Sequence, residues 1–321
     1  MLATPTHKWR MSIARSYGIE YTFCTSPEEF FPGGLITDTP DFSEPYWAEI
    51  ETSEDISDVK DSTWYSILRA LRWIFDGNAS EALVDATFRD LLRTIGILNR
   101  VREVNLQVLI HFLMTGEWQI AKLDAALMDG LFFILGFAEN KIESLAVTIN
   151  RKSLGRPLAQ WVANAIASFR YNCRQFQYLK SVNYEDAVQN GLIMSGTHIT
   201  FIRMEVNDAL LEFVETGIRP KDYEDIEVKV FRLDFPGAEN ASLTLLENLK
   251  KFLRCLSTWK KLLPQDYTDF ARINSLFGIP YSESKYKPKP KPKAKPKPKP
   301  ETTSKPKPKP KAKPKAKPKL L

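Results

Sequence analysis

From Lys287 to Lys319 the chain alternates lysine with proline or alanine, interrupted once by Glu301-Thr302-Thr303-Ser304, and such a run cannot build a core. Proline at alternate positions locks φ and removes ladder donors, so helix and sheet are both forbidden there. Residues 285–321 hold 16 lysines and 11 prolines against one acid, a net charge of +15. Residues 1–284 carry 29 basic and 38 acidic side chains, a net charge of −9. Whatever folds must therefore be an acidic body, and the basic segment is predicted to be a disordered tail reaching on the order of 115 Å at about 3.1 Å per residue.

Such an asymmetry points to polyanion binding through the tail, with DNA or RNA as the partner, and leaves the acidic body as a surface for a protein partner. The tail resembles the Lys/Ala/Pro-rich tails of linker histones, which implies binding by charge without sequence reading. No apolar run reaches the 18 or so residues of a membrane helix, and the start MLATPTHKWR has no apolar signal core. The expectation is a protein that does not engage membranes and is nuclear or cytoplasmic. Cys24, Cys173 and Cys255 are odd in number and far apart, which suits reduced thiols.

Three histidines, His7, His111 and His198, have no Cys or His at zinc-ligand spacing. There is no GxxxxGK[ST], GxGxxG or GxSxG, so nothing supports a P-loop NTPase, a Rossmann dehydrogenase or a serine hydrolase. Chemistry, if the chain performs any, falls to carboxylates and lysines.

Residues 1–62 scatter aromatics among Pro, Gly and acids with no period, which predicts an irregular arm. Trp64, Ile67, Leu68, Leu71 and Ile74 then recur at helical spacing, and a second helix follows with Asn78 as its cap and Val84, Phe88, Leu91, Leu92 and Ile95 as its stripe. Residues 101–123 read equally as a strand or a buried helix. Leu131 to Phe137 and Leu145 to Ile149 suggest a hairpin turning at Glu139-Asn140-Lys141, and Pro157 opens an amphipathic helix. Leu192 to Met194 and His198 to Met204 make a second hairpin, Ile226 to Leu233 a further strand, and Leu243 to Leu262 a last helix. The pattern predicts an α/β domain over 63–284, with a mixed sheet and flanking helices.

Asp129 in MDGLFFILG, the triplet Asn150-Arg151-Lys152 in SLAVTINRKS, and Gln160 in RPLAQWVANAIASFRYN lie in an order that resembles the PD-(D/E)XK nuclease-like superfamily. There an acid begins one strand, an acid-x-Lys triplet sits on the next, and a helix carrying a Gln follows. The resemblance covers roughly residues 80–205 and implies a restriction-endonuclease-like core, with Mg²⁺-dependent phosphodiester hydrolysis as the activity. A turn between Glu139 and Asn140 would set Asp129 across from Asn150, and would leave the rival triplet Glu139-Asn140-Lys141 at the hairpin tip. The resemblance then implies Asp129 and Asn150 as the metal ligands, Lys152 as the charge stabiliser and Gln160 as a positioning residue. Asn150 stands where the family has an acid, which implies a weakened site, and Glu81 on the preceding helix is the acid that could compensate. The plainer readings remain beside these: Asp129 before Gly130 is also a turn residue, and Glu81 also suits a first helical turn. The rival to a nuclease is a non-catalytic adaptor, its acidic body on a protein and its tail on chromatin or another polyanion.

Overall fold

A computed structural model describes residues 3–35, 49–50, 52–54, 56–99, 102–130, 132–141, 154–179, 188–195, 198–233, 243 and 245–263, all within one compact unit, Met1–Ile279. The elements over these residues are α1 (Met11–Ser16), β1 (Ile19–Cys24), α2 (Pro27–Phe30), α3 (Ser62–Phe75) and α4 (Glu81–Thr94). Then come β2 (Arg102–Met114), β3 (Glu117–Asp129), β4 (Ile134–Lys141), α5 (Gly155–Leu179), β5 (Val188–Ser195) and β6 (His198–Glu205), and finally α6 (Asp208–Thr216), β7 (Ile226–Arg232) and α7 (Leu246–Leu262).

Among the described residues the strands form a mixed seven-stranded sheet in the order β1-β7-β6-β5-β4-β3-β2. Pairs β1/β7 and β4/β5 are parallel and the others antiparallel. Each face carries its own core. On one, Trp64, Leu71, Leu91, Phe252 and Trp259 from α3, α4 and α7 cover Ala125, Leu127 and Phe201. On the other, Trp9, Tyr17, Trp161, Val162 and Phe213 from the N-terminal segment, α5 and α6 cover Ala126, Phe137 and Val228. The result is a three-layer α/β/α arrangement, as two apolar sheet faces require.

The helices predicted from 3.6-residue periodicity are present, with one change at a cap: Ser80, not Asn78, begins α4, its hydroxyl accepting from the Leu83 amide at 3.3 Å. The ambiguous stretch that follows is strand, as β2 and the first half of β3. Their hairpin closes through Thr115-Gly116, at φ 47° and 79°, the left-handed pair that a two-residue turn needs to match sheet twist. The turn amides of Thr115 and Gly116 donate to Val214 and Glu215 carbonyls at 2.8 Å each, so they also satisfy the exposed C-terminal carbonyls of α6.

Two expectations are corrected. Residues 3–35 are not an irregular arm: β1 extends the sheet edge, and Trp9, Tyr17 and Phe30 are buried. The second correction is the hairpin. Glu139-Asn140-Lys141 is not a tip but the last part of β4, and the turn between β3 and β4 lies at Asp129–Phe133, because Asp-Gly at 129–130 is the stronger turn signal. The expected partner strand at 145–149, with Asn150, Arg151 and Lys152, lies outside the described residues.

The position of α5 is fixed by a close approach. A Cβ at Gly191 would lie 2.5 Å from both the Phe137 carbonyl oxygen and Trp161 Nε1, so only glycine lets α5 press onto the sheet there. Trp161 stacks on Phe137 with centroids 5.0 Å apart, and this seats the first turns of α5 over β4. No helix of the described residues is long and apolar enough to cross a membrane.

Candidate functional site at a fork in the sheet

Strands β3 and β4 pair from Met128↔Ile134 to Ala125↔Ala138 and then separate. Beyond that point β3 continues only against β2, down to Glu117, while β4 continues only against β5, through Glu139↔Ile193, Asn140↔Met194 and Lys141↔Ser195. Asp124 and Glu139 are the first residues past the split, one on each limb. A fork at the carboxyl end of a strand that leads into a crossover helix leaves backbone and side chains around a crevice, the common place for a ligand in open α/β sheets.

Polar side chains fill the fork. Asp124 Oδ2 accepts from the Asn140 amide at 3.0 Å, so a carboxylate takes the place of the missing ladder carbonyl. The Asn140 side chain points to the opposite layer and donates to Asp85 Oδ1 of α4 at 2.6 Å, and Gln107 Nε2 donates to Asp85 Oδ2 at 3.3 Å. Gln107 holds φ at 58°, an uncommon conformation for a non-glycine residue, in the gap between the pairs Leu106↔Ala125 and Val108↔Leu123. Glu139 Oε2 accepts from Asn164 Nδ2 of α5 at 3.1 Å, and the same amide donates to the Lys122 carbonyl at 3.2 Å. Asp85, Asp124, Glu139, Asn140 and Asn164 are all buried. Burial pushes the Asp85 carboxyl above its usual range, and the Asp124 and Glu81 charges act in the same direction, against the amide bonds from Asn140 and Gln107.

A cleft of about 770 Å³ opens over the fork, walled by Asp124, Glu81 at the start of α4, and Arg156, Pro157 and Gln160 of α5. Lys122, Ile120, Trp118 and Leu109 of the β2/β3 hairpin, with His7 of the N-terminal segment, extend it outward. Glu81 and Gln160, two of the residues singled out in the sequence, are thus brought together. Asp129 is not with them. It lies five residues from Asp124, roughly 17 Å along the strand, and its Oδ1 accepts from the Phe133 amide at 2.9 Å while its backbone closes the same turn. That is the work of a turn residue.

Sequence reasoning misses Asp124, and it discounts the triplet Glu139-Asn140-Lys141 despite its acid-x-Lys spelling. The Asp129-Gly130 turn signal is what points to both, because moving the turn from 139–140 to 129–133 exchanges which triplet stands beside an acid. Among the described residues no three Asp, Glu, His or Cys side chains converge as metal ligands. Asp124 lines the cleft, whereas Glu139, on the other limb, is fully buried behind it. No family model matches the chain, and no curated protein matches it.

Proposed function

We propose that the fork is a PD-(D/E)XK-type site for phosphodiester hydrolysis in nucleic acid, within a restriction-endonuclease-like core, and that the Lys-Pro tail tethers the substrate. The observation that carries the reading is the placement of Asp124 at the split from β4, whose end spells Glu139-Asn140-Lys141, with the helix bearing Gln160 as the next described element. Acid, acid-x-Lys and Gln helix then follow in the order that the family resemblance implies, carried by Asp124, Glu139, Lys141 and Gln160. Asn150 and Lys152 are not needed.

Bound Mg²⁺ would supply Lewis acidity and a water of lowered pKa at the Asp124–Glu139 pair. The rest follows from the chain. The Asn140 amide orients the Asp124 carboxylate. Asn164 holds Glu139 from the helix side. Glu81 lines the cleft as a further acid. Lys122 and Arg156 in the cleft wall offset the acids and attract a phosphate backbone.

The test is Mg²⁺-dependent cleavage of mixed single- and double-stranded DNA and RNA by the full chain, compared with Glu139→Gln and Asp124→Asn. Cleavage by the parent that is lost in both folded variants supports the site. No cleavage of any substrate defeats it, and favours the second reading, a non-catalytic adaptor, for which the −9 charge of residues 1–284 is the specific observation.

A further inference from the structure

One line of alternate positions on β3, Trp118, Ile120, Lys122 and Asp124, runs along the cleft toward the fork, and all four line it. From Trp118 to Asp124 is six residues, roughly 20 Å of strand. The outer part is unusually apolar for a solvent face: Trp118 is 62% exposed, Ile120 46%, and Leu109, paired with Lys122 across the hairpin, 60%. The inward-facing positions Ile110, Phe112, Ala121 and Leu123 supply the core, and this outer stripe is not part of it. Cations accompany it. The Arg174 guanidinium lies 4.9 Å from the centre of the Trp118 ring and donates to the His111 carbonyl at 3.1 Å, Lys122 follows inward, and Arg156 stands on the facing wall.

We infer that this stripe is a track for single-stranded nucleic acid, with an unpaired base stacked on Trp118 and the backbone drawn past Arg174 and Lys122 toward Asp124. Flat aromatic surface beside guanidinium and ammonium groups is the chemistry that binds single strands without reading sequence, because every base has a π-face and every link a phosphate. In a duplex the base faces are already stacked on each other, so the apolar stripe would remain uncovered. The inference rests on the proposed phosphodiesterase reading for its substrate class, and specifies single strands within it.

The experiment measures binding in EDTA, so that it does not depend on cleavage. Labelled oligothymidylate and oligouridylate, and a blunt duplex of equal length, are titrated with the full chain and with Trp118→Ala and Trp118→Phe, at salt high enough to suppress counterion-driven binding by the tail. The expected result is a loss of about fivefold or more for both single strands in Trp118→Ala, the lower end of what one base–aromatic stack contributes. Duplex affinity should be unchanged, and Trp118→Phe should retain most of the single-strand affinity. Equal single-strand affinity in parent and Trp118→Ala overturns the inference, as does an equal loss for duplex and single strands, or a Trp118→Phe loss as large as that of Trp118→Ala. Failure of cleavage with these binding differences intact would defeat the catalytic reading alone.

Discussion

Asn164 of α5 donates its side-chain amide to Glu139 of β4 at 3.1 Å, a helix-to-strand bond between two residues with no exposed surface. A carboxylate buried in the middle of a sheet is costly unless its oxygens find donors, so this amide is part of what allows Glu139 to occupy a central strand. The same amide reaches the Lys122 carbonyl on the other limb of the fork, and so links the two limbs.

Replacing Asn164 by Ala should therefore act on both stability and chemistry. Loss of its two bonds should cost about 1–3 kcal/mol, read from the urea midpoint. Cleavage, if the fork is catalytic, should fall further than the folded fraction does, because Glu139 is no longer held. Asn164→Gln, which keeps the amide on a longer arm, should recover part of the activity.

Asp129 and Glu139 separate the two arrangements considered for the site. Asp129→Ala removes the acceptor for the Phe133 amide and should destabilise by about 1–2 kcal/mol, leaving kcat of the folded fraction unchanged. Glu139→Gln should keep the fold and remove Mg²⁺-dependent cleavage. The reverse result, with activity sensitive to Asp129 and indifferent to Glu139, would return the site to the turn.

Asp85 should give a pH signature. Its folded pKa is raised, chiefly by burial, so between its unfolded value and that raised value the native state binds more protons than the unfolded one. Its contribution to stability is present below the unfolded pKa and is lost as pH rises through the folded pKa. Urea midpoints of the parent, referred to those of Asp85→Asn at each pH, should fall across that window and then level off. A difference independent of pH would mean that Asp85 is not perturbed.

Removal of residues 285–321 takes away the +15 segment and leaves the −9 body. Affinity for duplex DNA at low salt should drop by orders of magnitude, and the steep dependence of log affinity on log salt should flatten. Equal duplex affinity for both forms would move the charge-driven surface into the body.

Much of the fold is legible in short stretches of the chain. Trp64 to Ile74 and Leu246 to Leu256 repeat at three and four residues, and each pattern decides helix locally. Leu192 to Met194 and His198 to Met204 alternate or are β-branched around a Ser-Gly turn, which decides a hairpin. The strand through Glu139-Asn140 is not legible, for the opposite reason. An acid and an amide side by side look like a turn. Their acceptability inside a sheet depends on Asn164, 25 residues after Glu139, and on Asp85, 55 residues before Asn140. No local propensity carries that information.

Composition and short periods suffice to establish that residues 285–321 are a lysine-proline segment of charge +15, that residues 1–284 are acidic, and that the helices and hairpins alternate as in an α/β protein. Which acid stands beside which triplet is instead an outcome of long-range packing. Side chains alternate with a period of two along a strand, so the assignment turns on where β3 ends and where it parts from β4. Those points are set by the Asp129–Phe133 turn, the Gln107 backbone and the donors that α4 and α5 bring to the fork.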